Sequence, residues 1–113
     1  MANVNKTITI GNLAREVELR HLPRGTALLE NALAVNHVWK DDAGEKHERA
    51  TFVDIKVWGR QAEVVAQYCT KGAPLYVEGR LEQDTWLDKE SGQKRSKLQI
   101  VAENIQLLGG RRD

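Results

Sequence analysis

Residues 52–58 read Phe-Val-Asp-Ile-Lys-Val-Trp, which puts two aromatic rings and two opposite charges on one side of an alternating segment. Val53, Ile55 and Val57 take the other side and are enough to face a core. On a half-solvated sheet the outward positions are ordinarily Thr, Lys, Glu and Ser. Outward Phe52 and Trp58, interleaved with Asp54 and Lys56, instead suit flat apolar groups that carry phosphates. Each base of a single strand can stack on a ring, and a cation such as Lys56 can meet the adjacent phosphate. The same pattern would arise if a second layer, from another copy or a folded-over loop, covered this face. The residues leave both readings open.

Two further tryptophans sit at predicted strand-to-loop edges. Trp39 stands beside Lys40 and a charged loop. Trp86 opens a loop that carries Lys89, Lys94, Arg95 and Lys97. An aromatic beside a basic loop fits a clamp on a flexible strand, and a ring that packs under a lid is the other reading. Tyr68 is expected to pack on a helix, and Tyr76 in a sheet or an interface. With six aromatics in 113 residues, each position carries information.

The elements that must hold these rings are mostly strands. Residues 4–13 alternate, with Val4, Lys6, Ile8 and Ile10 against Asn5, Thr7 and Thr9, and are rich in β-branched residues. Residues 16–20 alternate again. A connection over 21–26, with Pro23-Arg24-Gly25, leads into a long strand over 27–39. Residues 40–50 read as a polar surface loop. Residues 51–58 are a strand, and 61–71 are the one good helix, with Ala62, Val65, Ala66 and Cys69 on a stripe. Gly72 is expected to stop that helix, with Pro74 just beyond. Residues 75–86 form a strand with Leu75, Val77 and Leu81 inward, and 97–108 form the last. The pattern predicts an all-β, five-stranded OB-fold barrel with one α-helix between the third and fourth strands. Another small barrel or an α+β sheet has a similar order.

Composition bounds the function. Lys+Arg number 17 and Asp+Glu 16, for a net charge of +1, which argues against holding nucleic acid by bulk charge alone. A local basic groove is compatible with it. No apolar run approaches the ~20 residues of a membrane span, and residues 1–10 lack the pattern of a signal peptide. The lone Cys69 excludes an intrachain disulfide and a Cys-based zinc site within one chain. A cytoplasmic, nucleoid-associated protein is expected. His21, His37 and His47 have no ligand-like spacing to one another or to Cys69, and no base lies near Cys69 in sequence. No metal, cofactor or catalytic residue is expected.

Read together, several stretches resemble the bacterial-type single-stranded DNA-binding protein family. They are Asn5-Lys6 with Ile10-Gly11-Asn12-Leu13, then Trp39-Lys40-Asp41 with Gly44-Glu45, then residues 52–59. Ala62-Glu63, Tyr68, Lys71-Gly72, Tyr76-Val77-Glu78-Gly79-Arg80-Leu81, Trp86, Gly92 and Leu107-Leu108-Gly109-Gly110 follow in family-like order. The resemblance covers essentially the whole chain. It implies an OB-fold that assembles as a homotetramer, a dimer of dimers, and binds single-stranded DNA in replication, recombination and repair. Trp39, Phe52, Trp58 and Trp86 match the family's base-stacking positions, with Phe and Trp exchanged at 52 and 58. Lys6, Arg60 and Lys71 match basic positions, while Lys94, Arg95 and Lys97 are loop candidates from local charge. The domain is expected over 1–108, with 109–113 a short stub lacking the family's usual acidic tail. Either the sequence is trimmed before such a tail, or this is a tailless member that covers DNA without recruiting replication and repair proteins by that route.

Three departures stand out. Asp54, Glu82 and Asp84 are acids where basic or neutral residues are usual, which predicts a shallower salt dependence of binding. Val53 replaces a histidine that helps the family's subunit interface. The third is the missing tail. A replication-restart OB adaptor and an OB oligomerisation module are the alternatives. Restart relatives tend to lack the full set of four aromatics.

Overall fold

The computed structural model describes residues 2–109. Five long strands and one helix dominate: β1 (Thr7–Leu13), β3 (Ala27–Lys40), β4 (Lys46–Trp58), α1 (Gly59–Tyr68), β5 (Pro74–Leu87) and β6 (Lys94–Leu107), with a two-residue β2 (Arg20–His21) pairing to β3. The order across the sheet is β1-β5-β6-β4-β3-β2. It closes because Asn12 and Leu13 of β1 also pair with Ala34 and Leu33 of β3. All pairings are antiparallel except β4–β6, where Ile55 meets Ile100 and Lys56 meets Val101. This is the predicted five-stranded barrel, with α1 between the third and fourth long strands.

Leu29, Leu33, Ile55, Val57, Leu75, Val77 and Ile100 fill the barrel, and Ala62 and Val65 of α1, with Cys69 just after it, join the same core. Burial pushes the Cys69 thiol pKa up, as expected of a small core residue. Buried Asn31 ties down the chain after β1: its Oδ1 accepts from the Arg15 and Ala32 amides, and its Nδ2 donates to the Arg15 carbonyl. Glycine is required where backbones close on each other. A Cβ on Gly11 would lie 2.8 Å from the Ala34 carbonyl, and one on Gly79 would run into the Val101 carbonyl. Gly79 sits where the β5–β6 register slips by one residue.

The structure revises several expectations. The alternating apolar residues of β1 point outward: Ile8 and Ile10 are 59% and 55% exposed, while Gly11 and Leu13 are buried. Residues 14–19 are not a strand. The predicted polar loop shrinks to 41–45, because cross-strand pairing with β3 extends β4 back to Lys46. The helix ends at Tyr68, before Gly72, and Tyr68 is exposed rather than packed. Leu81 is exposed rather than inward, although its strand partner Ile100 is buried. Of the predicted 109–113 stub, residues 110–113 lie outside the described residues.

The extended strands make two hairpin arms, β3–β4 and β5–β6. They explain why the radius of gyration is 16.6 Å, against about 13 Å for a compact chain of this length. No helix among the described residues is long and apolar enough to cross a membrane.

Candidate nucleic-acid interface

Strand alternation sorts the nominated rings onto faces. Phe52, Asp54, Lys56 and Trp58 share the outer face of β4, opposite the core face of Val53, Ile55 and Val57. Gly59, with φ of 66°, turns the chain from Trp58 straight into α1, so Trp58 is held at the strand end. β6 lies beside β4, and β5 beside β6. On the same outer side, Glu82, Asp84 and Trp86 of β5 pair with Gln99, Lys97 and Arg95 of β6. Phe52 is 66% exposed and Trp86 46%, and Trp58 is also open to solvent. One sheet face therefore carries three open rings.

Trp39 is not on that face. In the unbroken β3–β4 register it stands opposite His47, and alternation sets it on the other side from Phe52. It lies out on the arm, 40% exposed.

The face is also less cationic than its lysines suggest. Lys56 Nζ lies 3.6 Å from Asp84 Oδ2 and 5.8 Å from the centre of the Trp58 ring. That pair bridges across β6, above Gln99, whose Nε2 lies 3.4 Å from the same carboxylate. Gln99 is buried and its Oε1 has no partner among the described residues. Glu82 is met by Arg80 at 3.6 Å. Arg95 lies 3.2 Å from Asp88, whose carboxyl is held below the usual range chiefly by the Glu90 amide, with Ser91 and Arg95 adding to it. Asp54 has no ion-pair partner among the described residues. Arg60, Lys71, Lys94 and Lys97 are likewise unpaired there.

Lys6 stands apart. Its Nζ is 2.6 Å from Glu78, which also accepts from the Tyr76 hydroxyl at 2.9 Å. This trio shares the outer face of β1 and β5 with Ile8 and Ile10, whose strand partners are Glu78 and Tyr76. Sequence reasoning set aside His37 and His47, whose rings flank Trp39, and did not single out Gln99. The Trp39–His47 contact depends on hairpin register, which the charged loop concealed.

An OB barrel with an open aromatic sheet face offers a surface on which flat ligands can stack. Residues 4–108 match the single-strand binding protein family, and the chain belongs to that family. It is 46% identical over 104 residues to the single-stranded DNA-binding protein of Wolinella succinogenes and 49% over 104 to that of Helicobacter hepaticus. Those matches take in 92% of this chain but 64% and 61% of the relatives' own lengths. Among solved structures, the fold is similar to that of the Plasmodium falciparum SSB in complex with ssDNA, with a TM-score of 0.83 at 23% identity over 96% of this chain and 97% of that one. It is also similar to a deletion mutant of the Thermus aquaticus single-stranded DNA binding protein, with a TM-score of 0.79 at 35% identity over 96% of this chain and 52% of that one.

Proposed function

We propose that this chain binds single-stranded DNA without reading its sequence, serving replication, recombination and repair, and that it does so as a homotetramer. The observation that carries the first part is the outer face of β4, β6 and β5, where Phe52, Trp58 and Trp86 stand open among lysines and arginines. Every base has a flat face, so ring stacking tolerates any sequence and is worth about 1–3 kcal/mol per base. Trp39 extends the contact onto the arm. Arg60, Lys71, Lys94 and Lys97 are the cations free to meet phosphates, whereas Lys6, Lys56 and Arg95 must first leave a carboxylate. Stacking therefore carries more of the binding than charge. The names of the curated relatives support the same reading. With DNA as its ligand, the protein belongs at the nucleoid.

Assembly is supported by area and by chemistry. The isolated protomer exposes 8458 Å², against roughly 6,200 Å² for a compact monomer of this mass. The β1–β5 face offers Ile8 and Ile10, and the edge of β1 away from β5 has no strand beside it before Asn12 among the described residues. A second copy can cover both. The test is electrophoretic binding of long thymidine oligonucleotides against matched duplex. The reading expects retention of the single strand and not of the duplex; equal retention of both would overturn it.

A further inference from the structure

Trp39 does not stand alone on the β3–β4 arm. His37 lies two residues back on β3, and His47 lies directly opposite on β4. Their ring centres are 5.2 and 5.5 Å from the indole, with planes tilted by 21° and 22°. That is offset stacking. All three side chains are exposed, so no core within the protomer requires the stack. Arg49 stands opposite His37 and shares this face. His47 Nε2 lies 2.8 Å from Asp41 Oδ2, with Glu45 the remaining ionisable group close by. Lys40, Lys46 and Glu48 alternate to the other side of the arm.

We propose that His37 and His47 are strand-contacting residues, which make Trp39 the centre of a three-ring platform whose grip on the phosphate backbone tightens as the imidazoles take up protons. The proposal rests on the single-strand reading above. A neutral imidazole offers a flat face to a base. A protonated one becomes a donor on both nitrogens and a cation beside the phosphates that flank the stacked base. The two histidines are not equivalent. A proton on His47 is balanced by Asp41, whose carboxyl already sits below its usual range through its hydrogen bond with His47 and the Glu45 amide. His37 has Arg49 opposite it in the register instead, so a phosphate bound there would meet two cations once His37 carries a proton.

The test is the salt dependence of oligo(dT) affinity, measured at about pH 7.5 and about pH 5.5, either side of the range where histidine ordinarily titrates. In the parent protein the slope of log K against log salt should steepen at the lower pH by up to about 1.4, or ~0.7 for each cation gained. His37→Gln with His47→Gln should remove the steepening, and each single change should remove part of it. Far-UV circular dichroism checks that the variants keep the fold. The proposal is overturned if the double variant steepens as the parent does, or if the parent does not steepen. A parent that fails to bind oligo(dT) at either pH overturns the single-strand reading itself.

Discussion

The barrel leaves two sheet faces open, and they are built from different chemistry. The β1–β5 face is aliphatic, with Ile8 and Ile10 outward, and its polar groups are already matched: Lys6 pairs with Glu78, and the Tyr76 hydroxyl donates to Glu78. The β4–β6–β5 face is aromatic and leaves charge unspent, with Asp54 and Lys97 unpaired among the described residues. An aliphatic face with satisfied polar groups gains by excluding water against a like surface. An aromatic face with free cations gains from a flat, charged ligand that stays wet. On the function proposed above, the first face takes a second copy of the chain and the second takes DNA.

The largest expected effect breaks the first face. Ile8→Asp with Ile10→Asp should dissociate the assembly, since each isoleucine buried in an interface is worth up to roughly 1.5–3 kcal/mol. Native mass spectrometry reads the outcome. A tetramer that survives both charges would place the interface elsewhere. Next comes the second face. Phe52→Ala with Trp86→Ala should weaken oligo(dT) binding by roughly 2–6 kcal/mol while leaving the assembly mass intact. If the double change alters mass but not binding, the two assignments are reversed.

Charge on the second face should matter less. Asp54→Lys places a cation between two rings and should steepen the salt slope by about 0.7, one more phosphate neutralised. An unchanged slope would mean that the strand does not pass over Asp54. The smallest effect concerns the matched trio. Glu78 is held below its usual pKa, first by its hydrogen bond with Lys6 and then by that with Tyr76. A depressed carboxylate contributes stability above its unfolded pKa and loses it as pH falls through the folded value. Lys6 is raised by the same bond, so its contribution is present below the ordinary lysine pKa and is lost as pH rises through the folded one. The melting temperature should therefore fall on the acid side, and Glu78→Gln should flatten that limb. Parallel curves for the parent and the variant would remove the trio from the account.

The barrel was legible because its central strands alternate cleanly. Val53-Ile55-Val57 and Leu75-Val77 show their buried side in sequence. The alternation of β1 is real but does not tell which side is inward: Gly11 and Leu13 face the core, while Ile8 and Ile10 point outward. A sequence pattern marks a face as apolar and leaves open what covers it. The rings at 39, 52, 58 and 86 were visible for the same reason, being apolar where solvent was expected. The ion pairs were not visible. Lys56 and Asp84 meet across β6, 28 residues apart in sequence, and only sheet order brings them together. The split of Trp39 from Phe52 was hidden as well, because it follows from an unbroken register through what read as a loop.

The central claim is that the open rings are a base-stacking surface rather than a covered interface. Intrinsic tryptophan fluorescence tests it most directly, because Trp39, Trp58 and Trp86 are all the tryptophans in the chain. Titration with a long thymidine homopolymer should quench the emission strongly, and matched duplex should leave it unchanged. Emission that responds to neither would mean that the rings are packed against protein, and would contradict the account.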